Sequence, residues 1–409
     1  MTAAAAAFPA VTTPDPAPAA PEHCWVPYPV PPGGTPHAAA GPLQGLTFAV
    51  KDIYDVAGYP TGCGSPHLLA LSGTKPRSAP VVEALLAAGA RFAGKVVTDE
   101  LAFSMNGKNA HFGAPRNGAA PERISGGSSS GSASAVSCGL VDFAIGSDTG
   151  GSVRAPASHC GLVGLRPTHG RIALDGTMPL APRFDTCGWF ARDIATFARI
   201  GAVLLGEDTA APLSTPRWLA AADVLAALDP AVQAAFRTTL DRLSLSIRPP
   251  VPVQAGCGVA FDTLYWAFRH LQGAEAWQHH GATIERHNLQ LGPGVKERFA
   301  WSRDVAATGL AGHAAVQADF RTRLAALLGT DGVLLMPTMP QVAPLLREPE
   351  GALDDYRNQA IRMLCLAGLS GFPQISLPLM RIDGVPLGLS LLGPPGSDRA
   401  LIALSATLF

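Results

Sequence analysis

Residues 126–168 read GGSSSGSASAVSCGLVDFAIGSDTGGSVRAPASHCGLVGLRPT, and their order of small and apolar residues decides the fold. The stretch opens on a knot of glycine and serine, Gly126-Gly127-Ser128-Ser129-Ser130-Gly131-Ser132, followed by a small-residue segment of helical character. An apolar run, Val141 to Ile145, then reads as a buried strand and ends in Gly146-Ser147-Asp148-Thr149-Gly150-Gly151-Ser152. Glycine lacks a Cβ and tolerates unusual φ/ψ, so backbone N–H groups at such a strand end can come close to a bound molecule. Converging N–H groups of this kind are the raw material of an oxyanion hole. Ser/Gly runs in isolation are most often flexible linkers. Here they flank an apolar segment in mid-chain, which argues against a linker.

Upstream, Gly41-Pro42-Leu43-Gln44-Gly45 reads as a turn leading into a strand over Leu46–Val50. Val81, Val82, Leu85 and Leu86 give Pro80–Ala88 a helical spacing, with Ser78 placed to cap it and Gly89 to stop it. Arg91–Val97 reads as another strand and Asp99–Met105 as a short helix. Downstream, Ser214–Leu228 and Val232–Leu243 read as helices, and Glu297–Leu328 as a long helical stretch broken near Gly309 and Gly312. Gly332–Pro337 is a buried-strand pattern, Leu353–Ala367 is helical, Gln374–Leu377 and Pro386–Leu392 are strands, and Ser397–Leu408 is a closing helix. This alternation predicts an α/β fold, a single large domain over 41–409 with a central mixed β-sheet flanked by helices. Residues 1–40, rich in Ala and Pro, read as a loose or surface-wrapping arm. Their prolines, and the absence of Lys or Arg before Lys51, argue against a signal or transit peptide.

The 409 residues are 47% hydrophobic and 15% charged, with a net charge of −1. That balance describes a well-buried globular protein and offers no basic surface to nucleic acid or to an anionic membrane. No apolar run approaches the roughly 18 residues of a membrane span. The seven cysteines are scattered without a C-x-x-C, which favours free thiols in a reducing, cytoplasmic compartment. The histidines include His279-His280 but no H-E-x-x-H, so a zinc hydrolase is unsupported and no metal is expected.

The 126–168 stretch resembles, nearly letter for letter, the hallmark of the amidase signature family: GGSS[GS]G, then G-[ST]-D-x-GGS-[IV]-R-x-P-A. In that family two serines act with a distant lysine. The resemblance maps the nucleophile onto Ser152 and the bridging serine onto Ser128, 24 residues earlier. It maps the lysine onto Lys51, within Phe48-Ala49-Val50-Lys51-Asp52. Serine is too weakly acidic to attack an amide unaided and needs a base; lysine serves when burial among apolar neighbours keeps it neutral. The resemblance implies that Lys51 draws a proton from Ser128, and Ser128 one from Ser152. The N–H groups of Thr149, Gly150, Gly151 and Ser152 would hold the oxyanion. An acyl-enzyme follows, hydrolysed by water without metal or cofactor. Ser129 and Ser130 are placed either to hydrogen-bond within the relay or to shape its loop. Asp148 and Arg154 flank the nucleophile as a supporting pair, and Met105 reads as a wall of the acyl pocket, although methionine is more often plain core.

Competing readings are weaker. Gly127-Ser128-Ser129-Ser130-Gly131 fits the G-x-S-x-G elbow, which would make Ser129 the nucleophile, but Pro121–Ser125 is a poor strand to precede it. Ser72-Gly73-Thr74-Lys75 fits S-x-x-K, without the S-D-N and K-T-G that should accompany it. Similarity to the family extends over Leu43–Ile53, Asn106–Gly113, Phe184–Asp193, Ala367–Gln374 and Gly384–Ser390, and points to short amidases of the indole-3-acetamide hydrolase type. It is weakest between residues 210 and 285, where this family builds much of its substrate pocket. The resemblance implies a small-molecule substrate, an aryl or arylacetyl primary amide, cleaved to acid and ammonia. Carbamates, anilides and aryl esters are open to the same machinery, and a homodimer would fit the family. A reading of another class is the amidase subunit of a tRNA-dependent amidotransferase. Low charge, a short chain and no evident tRNA-binding patch weigh against it.

Overall fold

Ten short segments dominated by apolar residues pair into one mixed sheet in the computed structural model, which describes residues 21–29, 34–210 and 213–409. They are β1 (Thr47–Lys51), β2 (Arg91–Val96), β3 (Phe143–Ser147), β4 (Val163–Arg166) and β5 (Cys187–Ala191). The rest are β6 (Arg217–Ala221), β7 (Val251–Val253), β8 (Gly332–Pro337), β9 (Gln374–Ile382) and β10 (Val385–Leu392). Their spatial order is β2-β1-β3-β5-β4-β9-β10-β8-β6-β7. Strands β2, β1 and β3 run parallel at one side, as do β8, β6 and β7 at the other. Between these two groups every neighbouring pair is antiparallel. β3, β4, β5 and β8 are buried at every residue, which a sheet achieves only when helices cover both faces. The chain is thus a single α/β domain.

Three segments depart from the sequence expectation. Asp99–Met105 is not a helix: a single 3₁₀ turn over Glu100–Ala102 contains Leu101 and Ala102 at positive φ, 52° and 54°. The bend lets Asp99 Oδ2 accept from the Gly107 N–H at 3.0 Å. Ser214–Leu228 is not one helix but strand β6 followed by a short helix, Ala222–Ala226. Trp218, Leu219 and Ala221 are buried between β8 and β7, and that pairing overrides the helix propensity of alanine. The third departure is the longest helix, Phe261–His287, which covers 27 residues where the sequence reading places no element. Its buried Leu264, Phe268 and Leu271 carry the i, i+4, i+7 spacing that marks it. The break expected near Gly309 and Gly312 is present, between helices Val295–Ala306 and Ala311–Leu328.

Most of the Ala/Pro-rich arm, residues 1–20 and 30–33, lies outside the described residues. Of the remainder, Cys24 to Val26 runs beside β2: Val26 N–H donates to Lys95 O at 3.0 Å and Val97 N–H to Cys24 O at 2.9 Å. Among the described residues no helix is long and apolar enough to cross a membrane.

Candidate active site

The parallel register of β1 and β3 sets Val50 beside Ile145, so the two strands deliver Lys51 and Ser147 to the same end of the sheet. The loop Asp148–Val153 leaves β3 there and enters the helix Arg154–His159. The Ser/Gly knot enters from the other direction, with Ser130 opening the helix Ser130–Ser137. The peptide bond between Gly127 and Ser128 is cis. Lys51 is fully buried, and its Nζ donates to Ser128 Oγ at 2.7 Å and to Ser147 Oγ at 2.8 Å. Burial lowers its pKa from 10.5 to about 8, partly opposed by the charge of Asp99. A larger share of Lys51 is therefore unprotonated at neutral pH than of an exposed lysine.

Asp148 is the electrostatic hub of the loop Asp148–Val153. Its carboxylate accepts from Arg154 Nη2 at 2.8 Å and Nε at 2.9 Å, and from Arg166 Nη1 at 3.2 Å. It also accepts the N–H groups of Gly151 at 2.8 Å, Val153 at 3.2 Å and Arg154 at 3.3 Å. Burial alone would push the carboxyl pKa up, but the two guanidiniums and these donors outweigh it and hold the group well below the usual carboxylate range. The Asp148–Arg154 pair expected from sequence is thus present, with Arg166 as an unanticipated third member.

This hub corrects one expectation. Family resemblance assigns the Gly151 N–H to an oxyanion, yet that N–H is spent on Asp148. Gly151 serves the loop instead through its φ of 122° and its lack of a Cβ, which would stand 2.4 Å from Leu364 Cδ1. Thr149, Gly150 and Ser152 have N–H groups with no hydrogen-bond acceptor among the described residues. Thr149 is steadied by its own Oγ1, which donates to Asp185 Oδ1 at 2.6 Å.

Ser129 knits the two signature halves together. Its Oγ accepts from Ser147 N–H at 3.2 Å and donates to Ser147 O at 3.2 Å, while its N–H donates to Ser152 O at 3.3 Å. Ser129 is fully buried with its hydroxyl committed to backbone, and no strand ends just before it, which removes the elbow reading. Ser130 is buried in the first turn of its helix. Ser152 and Gly150 line a narrow cavity whose other walls include Phe103, Met105, Phe268, Gln272, Arg357 and Ile361. Met105 lines this cavity together with Ser152, while Ser147, Arg166 and Asp185 are members that sequence reasoning misses. Ser147 carries a usable signal, since a serine closing a strand parallel to β1 must emerge beside Lys51. The helical wall from 261–287 and 350–370 carries no motif at all.

The family model named Amidase matches residues 34–402. The chain belongs to the Amidase family. The Amidase 1 protein of Arabidopsis thaliana is 40% identical over 394 residues, covering 90% of this chain and 93% of that protein. The A component of the glutamyl-tRNA(Gln) amidotransferase of Methanospirillum hungatei is 31% identical, covering 88% of this chain and 91% of that component. A crystal structure of an amidase superposes with a TM-score of 0.81 at 29% identity, over 92% of this chain and 86% of its own. This Amidase family member is an amide-hydrolysing enzyme.

Proposed function

We propose that this amidase hydrolyses small primary amides through a relay of Lys51, Ser128 and Ser152. The observation that carries the reading is the 2.7 Å hydrogen bond between Ser128 Oγ and a lysine that burial keeps partly neutral. Neutral Lys51 takes the proton of Ser128, and Ser128 that of Ser152, whose Oγ attacks the amide carbon. The N–H groups of Thr149, Gly150 and Ser152 receive the negative oxygen. As the C–N bond breaks, the proton returns through Ser128 to the nitrogen, and ammonia leaves. Water then attacks the acyl-enzyme by the same relay in reverse, releasing the acid. Phe103, Met105, Phe268 and Ile361 give the cavity apolar side chains to pack on, which favours an aryl or arylacetyl acyl group and leaves carbamates, anilides and aryl esters within reach.

The test is ammonia release from a panel including indole-3-acetamide and phenylacetamide, by wild type, Ser152→Ala and Ser129→Ala. Turnover lost only in Ser152→Ala supports the relay; activity that survives there but vanishes in Ser129→Ala would sink it. Likeness to the Methanospirillum protein favours a second reading, as the amidase component of an amidotransferase. Ammonia release from glutamine that requires added partner proteins would support that reading.

A further inference from the structure

Arg357 is a buried charge that the fold leaves unanswered. It is 5% exposed, it makes no hydrogen bond or ion pair with any described residue, and its Nε is without a partner. A guanidinium presents five N–H donors and keeps its charge, so burying it unpaired is costly. Elsewhere at this site buried guanidiniums are matched, Arg154 and Arg166 both lying on Asp148. Around Arg357 two neighbours, Arg269 and Arg298, have its own sign, and the one carboxylate that acts on it, Asp354, acts on both of them as well. Arg269 is 7% exposed, lies over the ring of Trp301 at 5.0 Å, and has an unpartnered Nε. Arg298 donates to Phe103 O at 2.7 Å and stands 3.6 Å from Asp354, whose side chain is 47% exposed. Of the other acids in that cleft, Glu297 is taken up by the N–H of Gly294 at 2.6 Å, and Glu350 stands in the first turn of its helix.

The helix Glu350–Ser370 places this charge with respect to the nucleophile. Arg357, Ile361, Leu364 and Gly368 follow the i, i+4, i+7, i+11 spacing of one helix face. Leu364 packs on Gly151, and a Cβ at Gly368 would stand 3.7 Å from Thr149 O, so this face lies against the nucleophile loop. Two turns before Leu364, Arg357 is the one charged residue lining the Ser152 cavity among the described residues, and it also lines the outer cleft with Arg269 and Arg298. Gln272, on the same wall, has an Oε1 without a partner. The same cavity presents the apolar side chains of Met105, Phe268 and Ile361.

We propose that the acyl group cleaved at Ser152 carries a carboxylate that pairs with Arg357, so that the substrate class is the monoamide of a dicarboxylic acid with an apolar or aromatic middle. This rests on the Ser152 relay proposed above. The overall reaction consumes one amide and one water and yields a dicarboxylate and ammonia, with no redox step. An Arg–carboxylate pair in a buried site is directional and charge-assisted, and it fixes where the far end of the substrate lies.

The matched pair phenylacetamide and 4-carboxyphenylacetamide tests this, with phenylacetylglycine placing the carboxylate on the amine side. Wild type should show kcat/KM at least about tenfold higher for the 4-carboxy amide than for phenylacetamide. Arg357→Gln should collapse that ratio toward one, and Arg357→Lys should restore part of it, which a merely structural role would not do. A ratio near one in wild type, or one equal in wild type and Arg357→Gln, overturns the proposal. So does a preference for phenylacetylglycine, which would move the carboxylate to the leaving group. Absence of turnover on every amide would count against the relay, not against the subsite, which calorimetry on full-length Ser152→Ala reads separately. There 4-carboxyphenylacetate should bind more tightly than phenylacetate, and Arg357→Gln should abolish the difference; equal binding of the two acids overturns the subsite.

Discussion

The two walls of the Ser152 cavity hold charge in opposite ways. On the sheet side, the single carboxylate of Asp148 is met by two guanidiniums and three backbone N–H groups, all inside the protein. On the helical side, Arg357 is 5% exposed and its Nε meets no acceptor. The first wall is complete before any substrate arrives, so the nucleophile loop has one conformation to offer. Preorganised dipoles of this kind are what lowers the barrier of acyl transfer. The second wall is incomplete by one anion. We read the first as the part that performs the reaction and the second as the part that chooses what undergoes it.

Four measurements break or sharpen that contrast. Removing the proposed nucleophile has the largest expected effect: Ser152→Ala should lower kcat for amides by at least about a thousandfold, with thermal stability retained. Next, Lys51→Met should cost about 10²- to 10⁴-fold, the usual share of a positioned base. In the proposed relay the base is the neutral lysine, and burial has lowered its pKa, so activity should rise with pH and level off above about 8. A flat profile between pH 6 and 9 would assign the base elsewhere. Third, Asp148→Asn leaves Arg154 and Arg166 facing each other without a counter-charge and should destabilise the fold by about 3–5 kcal/mol in denaturant titration. Its folded pKa is depressed, so its stabilisation is complete above about pH 4 and fades on acidification below that, a dependence the variant should lack. A loss under about 1 kcal/mol would mean the sheet-side wall is less complete than its hydrogen bonds imply. The smallest effect is expected from Gly151→Ala, about 1–3 kcal/mol, since a methyl group must find room at φ 122° against Leu364.

The residues of the proposed relay are legible in the sequence because chemistry and chain order coincide there. Gly150-Gly151-Ser152 follows its strand directly, Ser128 follows Gly126-Gly127, and Lys51 closes an apolar strand, so each residue type and its local backbone stand together in the chain. The same local logic finds the α/β alternation and the break near Gly309. It fails where the deciding partner is remote. β6 looks helical until β8 and β7 bury it, and Asp99–Met105 bends because Asp99 must reach the N–H of Gly107.

By itself, then, the sequence determined the family and the class of fold, and it supplied the residues of the relay we propose, because those depend on short-range patterns that survive without a partner. Only the tertiary structure decided that Gly151 N–H serves Asp148, that Arg166 joins the hub, and that Arg357 lines the Ser152 cavity without a hydrogen-bond partner for its Nε. These are matters of distance between segments tens to hundreds of residues apart. Burial, and with it the cost of an unpaired charge, is set only when those segments have met.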